Sequence, residues 1–519
     1  MILALLVGLA TLSAGCARRT SRTADDRIVV LIDAVAQNFD PRYTSTNNDA
    51  KISKLIAPGL TAVDTADLQP RMELAESATP IDPLTWQIVL RSNVKFSDGT
   101  PVTAQDVAWT YTSVMRKGSD SPYQKNLAER FSSVEAVDAR TVRFHLIAPL
   151  ATFLSDLDFG IVAEHAASEG GHFAQGTPIG AGPYQLVSHD QQRVELRANP
   201  NFWGPAPKIA GVTIKFVMDP AARALMLAGG SADLVLNGVR LDLLADVAQR
   251  PRVAVRTAPS LLLTYLLLNN EDAKLKDVRV RQAIALALDR QAIIDGKFGG
   301  RAVLAAGLLP PGHWAFAADM PRWGFDRARA MSLLDSAGWP DPDGAGPASR
   351  FSLTYKTSSD AFRVSVARVI AEQLGTVGIA VDVMPFEFPT FFADIKKGQY
   401  QLASMQTADI TEPDFYFAYF HSSRIPSDKN RDAGNRWRYR NAEVDTWTEQ
   451  GRTETDGTLR KAIYGQIQQR IAGDVPIVPL WHEHNVVVTN RRVHGFVMSP
   501  NARLGGLTAV FKSDAAEPQ

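Results

Sequence analysis

Four places in this 519-residue chain carry residue types that could do chemistry. His482-Glu483-His484 places two imidazoles at i and i+2, which share one face of a strand and could hold a metal ion. The spacing is not that of the zinc-protease motif H-E-x-x-H, and histidines of a solvated loop are the simpler reading. Ser92-Asn93-Val94-Lys95 matches the serine-nucleophile pattern S-x-x-K. It falls at a strand-to-turn junction without companion motifs, as a chance match would. Asp409 lies in TADITEPDFYF, Thr407 to Phe417, ahead of an acid, a proline and three aromatics. Pro413 has no N–H and pushes Glu412 toward extended geometry, so this is a strand end or loop, where an aspartate ordinarily caps a turn. The fourth is Cys16, the one cysteine, which closes the apolar run MILALLVGLATLSAGC.

That run is shorter than the ~20 residues a membrane helix needs, and it reads as a secretory signal, residues 1–15. Small residues before a cysteine resemble the lipobox of bacterial lipoproteins, in which the cysteine is lipidated. A buried N-terminal helix with a free thiol is the alternative. Residues 16–27, including ARRTSRTADDR, are polar and patternless and suit a tether. With no second thiol there is no disulfide, so stability must come from core burial, which a chain of this length can supply.

The elements that must position these residues alternate between strand and helix, so the fold class is α/β, in several lobes. RIVVLID reads as a strand. LTWQIVLR sets Trp86, Ile88 and Leu90 at alternate positions, a half-buried strand. After a turn at Ser97-Asp98-Gly99, Thr103 and Asp106 form a capping box, and Val107, Tyr111 and Val114 share a helical face. DVRVRQAIALALDRQAII reads as one helix capped by Asp277, with Val280, Ile284, Ala287, Leu288 and Ile294 buried. VPIVPLWHEHNVVVTNRRVHGF reads as strand, loop, strand. GWPDPDGAGPAS, Gly338 to Ser349, is a surface loop. Lys+Arg and Asp+Glu are both 55, a formal net charge of zero that argues against a general polyanion binder. Nine tryptophans and 23 phenylalanines could build a sugar platform, although most should be core in a chain of this size.

Six stretches occur together and in order: VKFSDGTPVTAQDVAWTY, PIGAGPYQL, NPNFWGPAPKI, LNNEDAKLKDVRVRQAIALALDR, GWPDPDGAG and DVPIVPLWHEHNVVV. They resemble the extracellular solute-binding proteins of bacterial ABC importers, in the peptide/nickel-binding branch with the oligopeptide- and dipeptide-binding lipoproteins. The resemblance implies a two-lobe, hinged periplasmic-binding-protein-like fold with an extra third domain. Carried onto this chain, the first lobe takes residues 28–62, 166–262 and 482–513. The extra domain takes 63–165 and the second lobe 263–481, with crossovers near Ser260–Asn269 and Leu480–Asn485.

In peptide binders of this family, a motif resembling A-D-Y-x-[DE]-P pairs its Asp with the ligand's α-ammonium. ADITEP matches with Asp409, Glu412 and Pro413, and Ile410 replaces the tyrosine. An ammonium entering a closed cleft is costly unless paired and hydrogen-bonded, which a fixed carboxylate provides. The extended residues Ser404, Met405, Gln406 and Thr407 are then the expected partners for a peptide laid in as an extra strand, with Asn237 and Gly238 from the first lobe.

The implied function is capture of di- to oligopeptides outside the cytoplasmic membrane, in a periplasm or on the cell surface. Delivery is to two permease subunits and their ATPases, which must be separate chains because no G-x-x-x-x-G-K-[ST] is present. A nickel, haem or oligosaccharide receptor is the alternative on the same scaffold. The expectation is a monomer, held to the membrane through lipid on Cys16, with no catalytic residue, cofactor, resident metal or nucleic-acid partner. An exported hydrolase would need a nucleophile, base and orienting group that the sequence does not assemble.

Overall fold

A computed structural model describes residues 22–514 apart from 169, 170, 345 and 409. Cys16, the signal and most of the tether lie outside the described residues.

Two long antiparallel strands, Val253–Leu268 and Ile477–Asn490, organise the molecule. They sit in the middle of an 11-stranded sheet. Val253 to Pro259 pairs with Asn490 to His484, and Leu263 to Leu267 pairs with His482 to Ile477. Between Pro259 and Leu263 the register slips, so one ladder is divided into two halves. Ser260 bridges the slip: its Oγ donates to the Glu483 carbonyl (2.5 Å) and accepts from the Leu262 N–H (3.1 Å).

Each half supports one lobe. On the first, Leu234–Leu236, Arg27–Ile32 and Gly211–Phe216 run parallel to one another, followed by antiparallel Arg193–Ala198 and Tyr184–His189. Alternate residues bury both faces: Ile28 and Val30 enter one apolar cluster, Val29 and Leu31 another. On the second half, Leu402–Thr407 pairs antiparallel with Leu263 to Leu268, and Phe351–Ser358 and Ile379–Phe386 follow in parallel. There Leu266 and Leu268 face one cluster, and Leu263, Tyr265 and Leu267 the opposite one. Parallel strands buried on both faces by crossover helices are the ordinary form of an α/β layer.

A separate four-stranded antiparallel sheet, Ala75–Asp82, Thr85–Leu90, Thr141–Leu146 and Phe131–Ala136, has its own core around Ile88, Leu90, Tyr111 and Phe144. Helix Ala104–Met115 covers it, and its Thr103/Asp106 capping box forms in both directions. The glycines of PIGAGPYQL fit where this unit and the first lobe meet. A Cβ on Gly180 would stand 2.2 Å from the Ile56 carbonyl oxygen, and one on Gly182 would stand 2.3 Å from that of Leu55. Only glycine permits that approach.

Two expectations need correction. The helix expected to run through DVRVRQAIALALDRQAII is two helices, Val278–Ala287 and Arg290–Phe298. Leu288 is extended, and the Asp289 side chain accepts from Ala292 N (3.0 Å), so this aspartate caps a new helix rather than sitting inside the old one. The loop expected at His482-Glu483-His484 is instead the middle of the strand Ile477–Asn490. Pairing on both sides supplies partners that local polarity did not announce.

Candidate ligand-binding site

In open α/β sheets, ligands bind beyond the carboxyl ends of the parallel strands. In this molecule the ends of two parallel strands of the first lobe and of one strand of the second border one cavity of about 390 Å3. The first lobe supplies Ile32 to Val35 after Arg27–Ile32, and Asn237 and Gly238 after Leu234–Leu236. The second lobe supplies Ala408, directly after Leu402–Thr407. Ser260, Leu261, Leu262 and Asn485, at the register slip, form the wall between them. The volume falls at the small end of the ~300–1,000 Å3 usual for ligand sites.

Asn237 adopts a left-handed backbone (φ 55°), a conformation asparagine tolerates better than most residues. Its side chain is engaged at both atoms: Oδ1 accepts from Val486 N (2.8 Å) and Nδ2 donates to Asn485 Oδ1 (2.8 Å). Asn485 in turn donates to the carbonyls of Ser499 (3.0 Å) and Pro500 (3.1 Å). Asn237 thus holds the rim of the cavity in shape, tying the first lobe to the central strand. The Gly238 carbonyl accepts from Arg223 Nε (2.6 Å), and a Cβ there would stand 2.7 Å from Val235 Cγ1.

Ser404, Met405, Gln406 and Thr407 are extended, as expected. The neighbouring strand Phe351–Ser358 pairs only with Leu402 and Ala403. Among the described residues, no strand therefore pairs with the outer edge of Ser404 to Thr407. Side chains alternate as the pleat requires. Met405 packs on one apolar cluster and Thr407 Oγ1 meets Tyr419 Oη at 3.0 Å, whereas Gln406 faces the other way. Gln406 Nε2 donates to Thr264 Oγ1 (3.0 Å) and to the Glu483 carboxylate, and Arg363 donates to its Oε1. A polar ladder thus crosses three strands and explains Glu483, whose carboxyl burial pushes upward in pKa.

Asp409 lies outside the described residues. Its neighbours are placed: Ala408 lines the cavity and Ile410 is completely buried. Glu412 accepts from Ser155 Oγ (2.5 Å) and Arg460 (2.8 Å). His482 is not a solvated histidine: it is 1% exposed, and its ring nitrogens face the main chain of Gly307 and Leu309 without a well-formed hydrogen bond. Burial pushes its pKa down to about 4. Among the described residues, no three His, Cys, Asp or Glu side chains gather as metal ligands would. Sequence reasoning missed Asp33 to Val35, Ser260 to Leu262 and Asn485. The first group had a readable signal, a polar step at the end of an apolar strand; the others depend on a register slip that only pairing reveals.

Comparison with known proteins gives a consistent picture. Residues 69–427 match the family described as bacterial extracellular solute-binding proteins, family 5. The probable D,D-dipeptide-binding periplasmic protein DdpA of Escherichia coli is 30% identical over 493 residues, covering 92% of each chain. The oligopeptide-binding protein AppA of Bacillus subtilis, solved with a nonapeptide, superposes with a TM-score of 0.71 at 25% identity, covering 94% of this chain and 99% of that one. HbpA2 of Haemophilus parasuis shares the fold with a TM-score of 0.82 at 23% identity, covering 94% of this chain and all of its own.

Proposed function

This chain belongs to the family 5 bacterial extracellular solute-binding proteins, the peptide/nickel-binding receptors of ABC importers, and from that premise we propose that it captures di- to oligopeptides by lobe closure. The observation that carries the reading is geometric. The ends of Arg27–Ile32 and Leu234–Leu236 in the first lobe and of Leu402–Thr407 in the second border one cavity, beside an extended segment whose outer edge pairs with no strand among the described residues. Such an edge holds a peptide main chain by strand addition and leaves its side chains free to vary. Asp409, in the ADITEP motif, would pair with the peptide's α-ammonium. The names of the relatives, one a D,D-dipeptide binder and one an oligopeptide binder, support the same ligand class.

The mechanism is a population shift. Ligand bridging the lobes favours the closed arrangement, the slip at Pro259–Leu263 absorbs the rotation, and the closed receptor is recognised by the permeases. No bond is broken, so the protein acts as a receptor and not as an enzyme. It works outside the cytoplasmic membrane. No helix among the described residues is long and apolar enough to cross a bilayer, and a lipid on Cys16 would provide the anchor. The lobes would be divided as the sequence implies, with 63–165 as the extra domain.

A thermal-shift titration tests the reading. The purified protein is heated with di- to pentapeptides, D,D-dipeptides included, and with the same pool N-acetylated. A ligand that binds only the folded form raises the melting temperature with the logarithm of its excess over Kd. Stabilisation by free but not acetylated peptides is expected. Silence toward both pools, with a response to nickel, haem or an oligosaccharide, would sink the peptide assignment.

A further inference from the structure

Ala408, at the end of the strand Leu402–Thr407, borders the cavity, and Ile410 to Asp414 lead into helix Phe415–Phe420. This segment is braced on several sides. Ile410 is driven wholly into the second lobe's core. The Thr411 carbonyl accepts from His313 Nε2 (3.3 Å), whose Nδ1 accepts from Ala315 N (3.0 Å), a pattern that fixes the neutral tautomer with its proton on Nε2. Glu412 is 9% exposed and uses both carboxylate oxygens. Oε2 accepts from Arg460 at 2.8 Å, and Oε1 accepts from Ser155 Oγ at 2.5 Å.

The second of these contacts is the informative one. Ser155 belongs to the small-sheet unit, 257 residues away in sequence, and its neighbours Phe153 and Leu157 lie in that unit's core. Around it the two units meet through further contacts. Ala151 N donates to the Arg452 carbonyl (3.0 Å), and Arg452 pairs with Asp414 (3.1 Å). Trp314, over whose ring the Arg460 guanidinium lies at 5.4 Å, donates its backbone N–H to the Asp67 carbonyl (3.1 Å). A seam of main-chain and charge-assisted hydrogen bonds therefore runs from the small-sheet unit to the loop that borders the cavity.

We propose that Glu412 is a positioning residue through which the small-sheet unit sets the geometry of the cavity-facing loop. This rests on the reading of that loop as ligand-binding. A buried carboxylate needs both its partners, because one left unmade costs the full desolvation of the group. When Ser155 is seated, Glu412 fixes the backbone that presents Ile410 and Thr411. When it is not, the carboxylate seeks water and the loop loosens. By linkage, a ligand that favours the seated loop also favours the seam. The small-sheet unit thereby contributes to affinity without touching the ligand.

Three variants, Ser155→Ala, Ser155→Thr and Glu412→Gln, test this against the parent protein by calorimetry with peptide and by amide hydrogen exchange with and without it. Ser155→Ala and Glu412→Gln are expected to weaken peptide binding about tenfold and also to lower the ligand-free melting temperature, Glu412→Gln the more because Arg460 loses its buried counter-charge. Ser155→Thr, which keeps the hydroxyl, restores affinity. In the parent protein, peptide slows exchange at residues 150–156, and in the Ala and Gln variants it does not. Affinity within twofold of the parent in Ser155→Ala would overturn the proposal. If Glu412→Gln fails to fold, Ser155→Ala decides alone, since it removes one hydroxyl. If the parent binds no peptide, the functional reading falls by itself. Exchange at residues 410–417 without ligand then decides: faster in Ser155→Ala supports the brace, unchanged refutes it.

Discussion

An ammonium and a carboxylate brought together out of water are tightly coupled, because removing either leaves the other buried and unpaired. Replacing Asp409 by Asn should therefore cost about 2 kcal/mol or more, roughly 30-fold in Kd, for peptides with a free amine. It should leave the already weak binding of N-acetylated peptides unchanged. Isothermal calorimetry on the two ligand sets distinguishes this from a turn-capping role, which would lower the melting temperature and affect both sets alike. A second residue-scale prediction concerns the buried histidines. Burial holds His313 and His482 at about 4, below the ordinary 6.5. An unfolded chain protonates them near 6.5 and the folded one does not, so stability present at neutral pH falls as pH drops from about 6.5 toward 4. The loss reaches about 3 kcal/mol per histidine at the foot of that window. Burial raises the carboxyls of Glu412, Asp414 and Asp156, which act in the opposite sense. The informative quantity is thus a difference: urea unfolding of parent and His482→Leu at pH 7.5 and 5 should show a shallower fall in the variant. Sequence alone could single out Asp409, because a motif and a chemistry coincided there. It could not tell that His482 is buried or that the Asn237 side chain bonds to the central strand, since both depend on partners about 170 to 250 residues away.

At the scale of elements, local signals were legible where they are self-contained. The capping box at Thr103 and Asp106 needs four residues and forms as read. Its removal by Thr103→Ala should cost about 1 kcal/mol, seen as a lower urea midpoint with unchanged slope. The single helix read through Leu288 fails for the converse reason: hydrophobic spacing continues across the break, and only the capping aspartate marks it. Glycine positions follow from contacts that no local pattern reveals. Gly182→Ala places a methyl against the Leu55 carbonyl oxygen at 2.3 Å, and backbone cannot yield as a flexible side chain would. Its effect should exceed that of Thr103→Ala several-fold, with poor recovery of soluble protein. A Gly182→Ala variant that melts within a degree or two of the parent would show that the backbones of Gly182 and Leu55 do not meet as closely as described.

For the whole molecule, the division of one ladder into two halves predicts the response to ligand. Saturating peptide should reduce the radius of gyration in small-angle scattering, and Ser260→Ala, which releases Leu262 N and the Glu483 carbonyl, should alter that compaction more than it alters secondary structure. The same two strands have a consequence for how the chain comes to be folded at all. The strand Arg27–Ile32, made first, leans on Leu234–Leu236, which needs Val487 to Thr489, and Asn501 closes onto Val63 across 438 residues. Neither lobe can finish its sheet before the strand Ile477–Asn490 has emerged. A chain with this connectivity stays incomplete for as long as it is being made or threaded through a pore. It becomes cooperative in a single late step, when the strand Ile477–Asn490 arrives at the centre of the sheet and pairs with both lobes.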